Sequence, residues 1–173
     1  MKRLSVFALA LGVLTAGCSS SPGSPNPTVS LQPVFTAALS PANEVPPIVG
    51  AEASGSGTAT ITFDVTKDAA GNITVANATF VVNLSGFPAG SAVNIAHIHE
   101  GGTTCACPVA VSTTLVAGEV SVVNGTASFT KAGITVDAAI AQRILNNPAG
   151  FYFNVHTTLN GGGVARGVLN RVS

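Results

Sequence analysis

Between Phe151 and His156 apolar and polar side chains alternate strictly. Phe151, Phe153 and Val155 fall on one side, and Tyr152, Asn154 and His156 on the other. A repeat of two is the signature of a half-buried strand. One face is greasy; the other carries a phenol, an amide and an imidazole in a row. Asn160-Gly161-Gly162-Gly163 then supplies residues that accept positive φ, so the chain can reverse. Val164 to Leu169 returns as a second strand with Arg166 among small and apolar neighbours. The pattern predicts a β-hairpin that presents His156 and Arg166 from a rigid scaffold. Upstream, Ile95-Ala96-His97-Ile98-His99 sets two more imidazoles two residues apart, on the same side of a strand. The chain has three histidines, and all of them fall in these two segments.

Composition narrows the class. Only 8% of the 173 residues are charged, while Val, Thr, Ala and Gly abound. That suits β-structure with a surface of hydroxyls and amides, not a helical bundle. The length fits one domain plus a leader. A folded part of about 140 residues buries roughly two-thirds of the surface its unfolded chain exposes, enough for one core. Without Lys2 and Arg3 the chain keeps five bases against seven acids, a net of −2. No basic patch exists, so nucleic acid finds no support as a partner.

The first 17 residues read as a secretory signal. Lys2 and Arg3 precede an apolar run from Leu4 to Leu14 that is too short to span a membrane, which takes about 20 residues. Leu14-Thr15-Ala16-Gly17-Cys18 resembles a bacterial lipoprotein signal, cleaved before the cysteine that then carries the lipid. Thr15 departs from the usual aliphatic residue; an ordinary cleaved signal with an incidental cysteine is the alternative. Residues 18–32 are expected to form the lipidated Cys18 and a flexible Ser/Pro-rich tether, and residues 33–173 the folded domain. Ser19 and Ser20 carry no aspartate retention signal, so the expected address is the cell envelope, anchored through lipid to the outer membrane.

Within 33–173, strands are expected over Val34–Leu39, Ala53–Val65, Ile73–Leu84, Ala92–His99 and Pro108–Leu115. Val120–Val123 and Thr126–Phe129 flank Asn124-Gly125, a strong two-residue hairpin signal. Pro41 to Pro47 reads as a stiff, irregular turn. Asp137 caps one short helix, Ala138 to Leu145, with Ile140 and Ile144 on one face. About eight strands without regular strand–helix alternation predict an all-β antiparallel sandwich.

Four stretches together resemble the CHRD domain, a family named for chordin and common in secreted bacterial proteins. They are Leu39 to Pro47 (LSPANEVPP), Ala96 to His99 (AHIH), Phe151 to Thr157 (FYFNVHT) and Gly163 to Leu169 (GVARGVL). Their order matches the family across Phe35 to Asn170. The resemblance implies a Greek-key sandwich, immunoglobulin-like or superoxide-dismutase-like, and implies no activity. Two departures stand out. Glu100-Gly101-Gly102 leads into Cys105-Ala106-Cys107 where the family has Gly, then Pro and Ala. Val164 and Ala165 replace an acidic residue before Arg166, so a carboxylate partner for Arg166 must come from elsewhere, with Glu44 and Glu100 as candidates.

The chemistry admits two main readings. His97, His99 and His156 suit Zn²⁺ or Cu²⁺ outside the cytoplasm, with Cys105 and Cys107 as further ligand candidates and Asn154 as outer support. Alternatively, the three histidines hydrogen-bond backbone carbonyls and brace loops of a metal-free adhesion or protein-interaction module with an unknown extracytoplasmic partner. Two thiols outside the cytoplasm normally oxidise, so a Cys105–Cys107 disulfide competes with the ligand role. Glu44 and Arg166 are read as a buried charge pair or a ligand-binding one. No nucleophile–base motif marks catalysis, and three histidines fall short of a bimetallic dismutase set, which stays an outside option.

Overall fold

The alternating segments close into two antiparallel sheets in the computed structural model, which describes residues 28–102 and 104–173. The strands are β1 (Val29–Leu31), β2 (Val34–Leu39), β3 (Ser56–Lys67), β4 (Ile73–Ser85), β5 (Ala92–Glu100), β6 (Val109–Ser112), β7 (Val120–Ser121), β8 (Thr126–Thr135), β9 (Phe151–Thr157), β10 (Ala165–Val168) and β11 (Asn170–Arg171). One helix, α1 (Ala138–Asn146), follows β8. The six-stranded sheet runs β11-β2-β3-β4-β8, with β1 also on β3; the five-stranded sheet runs β10-β9-β5-β6, with β7 also on β5. In the larger sheet β11 returns beside β2, giving the strand order of a Greek key.

The apolar halves of the strands meet between the sheets. Ile61, Phe63, Phe80 and Val82 from the larger sheet and Ile98, Phe153 and Val155 from the smaller are fully buried. Phe80 stacks on Phe153 across the gap at 5.8 Å between centroids, so each sheet supplies one ring to a shared contact. The β3–β4 turn is fixed locally: Asp68 Oδ1 accepts from the backbone N–H of Ala70 and Asn72, and Gly71 takes φ +85°. Helix α1 starts as its sequence predicts, with the Asp137 carboxylate accepting from Ala139 N and Ile140 N and with Ile144 packed into the core.

The structure departs from expectation in four places. Val29–Leu31 pairs with Val65–Lys67, so the folded domain begins inside the segment assigned to the tether. The Asn124-Gly125 turn has positive φ at both residues, as a type I′ turn demands, yet only Val123 and Thr126 pair across it. There β7 joins β5 and β8 joins β4, so the turn carries the chain from one sheet to the other. The strand expected to reach Leu115 stops at Ser112, where Thr114 adopts φ +59° and leaves the extended conformation. Lastly, β9 is buried at every position and not on one face alone. The leader, Cys18 and most of the tether lie outside the described residues.

Candidate metal centre

Register builds the site. In antiparallel pairs, directly opposed residues share a face. His97 opposes Asn154, which in turn opposes Arg166; His99 opposes Tyr152 and Ile95 opposes His156. Three strands therefore display His97, His99, Tyr152, Asn154, His156 and Arg166 on the side of the smaller sheet that faces away from the core. The loops around Glu44, Cys105–Cys107 and Gly161–Gly163 fold over this polar side and bury it. That covering is why β9 has no solvent face.

The three histidines expected to meet do meet. One ring nitrogen from each lies within 4.8 Å of one from each of the others. Ring centroids are 5.3 Å apart for His97–His156, 5.6 Å for His97–His99 and 6.4 Å for His99–His156. Backbone carbonyls accept from two of the rings: His99 Nδ1 sits 2.7 Å from Cys107 O, and His156 Nδ1 sits 3.0 Å from Gly161 O. A carbonyl can only accept, so each Nδ1 carries the proton and each Nε2 keeps its lone pair. Those two Nε2 atoms, together with His97 Nδ1, are buried and without a hydrogen-bond partner.

Electrostatics keeps the lone pairs available. Burial, reinforced by His156 and His99, holds His97 down at about 4. Burial also lowers His99 and His156, against the opposing pull of their carbonyl partners. All three rings are neutral at neutral pH, the state in which imidazole binds a metal. A tetrahedral zinc with bonds of about 2.0–2.1 Å needs nitrogens about 3.3 Å apart, so the rings must swing inward by roughly 1 Å.

The cysteine ligand role does not hold. Cys105 and Cys107 are joined as a disulfide, so neither offers a thiolate. What this loop supplies is backbone. Cys107 O holds His99, Cys107 N donates to Tyr152 Oη at 3.0 Å, and Cys105 O accepts from Arg166 Nη1 at 2.6 Å. Tyr152 in turn stacks flat on His99, 4.9 Å between centroids, and carries the Arg166 guanidinium over its ring at 4.7 Å.

Of the two candidate partners for Arg166, the structure selects Glu44. Their charged atoms are 3.4 Å apart, both side chains are buried, and Arg166 Nε also donates to Asn43 O at 2.6 Å. Glu100 pairs instead with Arg143 on the surface. Burial pushes the Glu44 carboxyl up to about 7, although Arg166 and the Val45 backbone N–H pull it down. Asn154 supports this pair and no imidazole: its Nδ2 donates to Glu44 Oε1 at 2.6 Å. Gly163 makes the fit possible. A Cβ there would lie 2.7 Å from Asn154 Nδ2 and 3.1 Å from both Glu44 oxygens.

One site residue carries little signal in the sequence. Glu52 is 1% exposed and braces the turn behind His156, yet it precedes the first regular alternation of β3 and matches no motif. A carboxylate in so uncharged a chain was the only hint. No curated protein and no solved structure matches this chain. The CHRD domain model matches residues 35–169, a span that contains the three histidines, both buried glutamates and Arg166. The chain belongs to the CHRD domain family.

Proposed function

We propose that this chain is an envelope-anchored binding module that holds one zinc or copper ion on His97, His99 and His156, and is tethered to the membrane through lipid on Cys18. The observation that carries the metal reading is the set of three buried, unpartnered ring nitrogens, one per histidine, in residues whose nitrogens converge. A buried polar nitrogen without a partner costs about 1–3 kcal/mol, and three in one place ask for a shared partner. The carbonyls on the far nitrogens of His99 and His156 are the usual outer support of metal-bound imidazoles. The anchor rests on the Leu14–Cys18 pattern.

The same two carbonyl bonds favour a second reading, a metal-free adhesion or protein-interaction domain whose histidines brace loops. That reading accounts for one nitrogen on each of two rings and leaves three nitrogens unexplained. Calorimetric titration of metal-free protein with Zn²⁺ and Cu²⁺, alongside His97→Ala, His99→Ala and His156→Ala, decides between them. The metal reading expects one ion per chain and a drop of about tenfold or more for each variant. Absence of stoichiometric uptake, or uptake indifferent to all three substitutions, leaves the bracing module. Palmitate labelling that persists in Cys18→Ala would remove the anchor.

A further inference from the structure

The turn that aims His156 is itself held by a buried carboxylate. Glu52 accepts three hydrogen bonds from three separate segments: Ser91 Oγ at 2.5 Å just before β5, Thr157 Oγ1 at 2.8 Å at the end of β9, and Asn160 Nδ2 at 2.6 Å within the β9–β10 turn. Among the described residues no Lys or Arg pairs with it. Its two oxygens are committed to neutral donors, and two of the three, Thr157 and Asn160, lie in the stretch of chain that follows His156. Thr157 Oγ1 accepts in turn from Asn160 N at 3.1 Å, and Gly163 N donates to Asn160 O at 3.2 Å, so the brace sets the shape of residues 157–163. Gly161 lies inside that span, and its carbonyl receives the proton on His156 Nδ1. A Cβ built on Gly161 or Gly162 would meet nothing within 4 Å, so no packed side chain flanks the turn there and the position of that carbonyl depends on the residues on either side of it.

From this chain of contacts we infer that Glu52 is a positioning residue for the metal centre: through Thr157 and Asn160 it places the Gly161 carbonyl, which fixes the His156 tautomer and turns Nε2 toward His97 and His99. The inference deepens the metal reading above and rests on it for its functional meaning, but its structural half is testable without any metal. Truncation is what removes the brace, because a glutamine with its oxygen toward Thr157 and Asn160 can still donate its NH₂ to the Ser91 hydroxyl. His99 is the internal control, because its Nδ1 partner is Cys107 O, on a loop Glu52 does not touch.

The test compares the full-length protein with Glu52→Ala and with Asn160→Ala, which removes one link to the turn while leaving the carboxylate. Nitrogen-15 spectra of the imidazoles report the two Nδ1–H tautomers separately, and Zn²⁺ titration reports affinity. Both variants are expected to broaden or shift the His156 Nδ1–H signal, leave that of His99 in place, and weaken zinc binding by about 10- to 100-fold. If Glu52→Ala does not fold, Asn160→Ala carries the comparison alone. Unchanged His156 signals with unchanged affinity overturn the inference, as does equal disturbance of His99 and His156, which means general loosening. Should the parent protein bind no zinc, the metal reading fails, while the His156 signal still decides whether Glu52 sets that ring.

Discussion

Replacing Glu44 by glutamine should make the domain less pH-sensitive, in a direction that separates burial from ion pairing. In the folded chain burial lifts the Glu44 carboxyl from its ordinary 4.5 to about 7, outweighing Arg166 only 3.4 Å away. A carboxyl raised by folding binds its proton more tightly in the native state. Its contribution to stability is therefore full below pH 4.5 and is lost as pH rises through 7. The lift corresponds to about 3 kcal/mol at 1.4 kcal/mol per tenfold change in proton affinity. Glutamine mimics the protonated acid in shape and keeps an acceptor for Asn154 Nδ2. Parent and Glu44→Gln should thus agree to within about 1 kcal/mol near pH 4, and the parent should fall behind by about 3 kcal/mol by pH 8. The histidines titrate with the opposite sign: their folded pKa values are depressed, so they cost stability as pH falls below 6.5. They are common to both proteins and cancel in the difference. Urea unfolding of both proteins between pH 4 and 8 at fixed salt gives the difference curve. A flat curve, or one that rises in the parent's favour with pH, would show that attraction to Arg166 outweighs burial and would refute the argument.

Three further outcomes concern the same site. Zinc affinity should survive mild acid: three ordinary imidazoles would lose about a thousandfold between pH 7.5 and 5.5 to proton competition, whereas His97 held at about 4 contributes none of that loss and the other two rings less than usual. Competition titrations at the two pH values check this, and a thousandfold loss contradicts it. Gly163→Ala should destabilise by about 2–4 kcal/mol in thermal or urea unfolding, because φ is +127° and the new methyl meets Asn154 and Glu44. Gly162→Ala, with open space around it, should be within about 0.5 kcal/mol of the parent.

Much of this centre was readable from residue order alone, and the reason is geometric. Alternation at Phe151–His156 and at Ile95–His99 states which side chains share a face, and two short strands were enough to bring three imidazoles together. The scarcity of charge made Glu44 and Arg166 conspicuous as partners. What could not be read is whatever depends on backbone atoms or on distant loops. Nothing in the letters says that the carbonyls of Cys107 and Gly161 accept from His99 and His156, since every residue has a carbonyl. The burial of Tyr152, Asn154 and His156 was missed because the cover comes from segments up to about a hundred positions away, and local periodicity reports only the chain's own faces. The Asn124-Gly125 signal gave the turn conformation correctly, but strand partners are chosen by the sheets, so β7 and β8 part company there. Glu52 illustrates the same limit: its three donors lie 39, 105 and 108 positions along the chain.

The line Arg166–Asn154–His97 across three strands has a consequence for how the smaller sheet finds its alignment. If β9 slid by two positions against β5, every phenylalanine would still point inward and the apolar interior would notice little. Asn154 or Thr158 would then stand where His156 belongs, Glu44 would lose its amide, and Glu52 would lose both donors near the turn. Greasy alternation cannot count in steps of two. The polar stratum can, and it serves the sheet as a vernier whose marks coincide in one setting only.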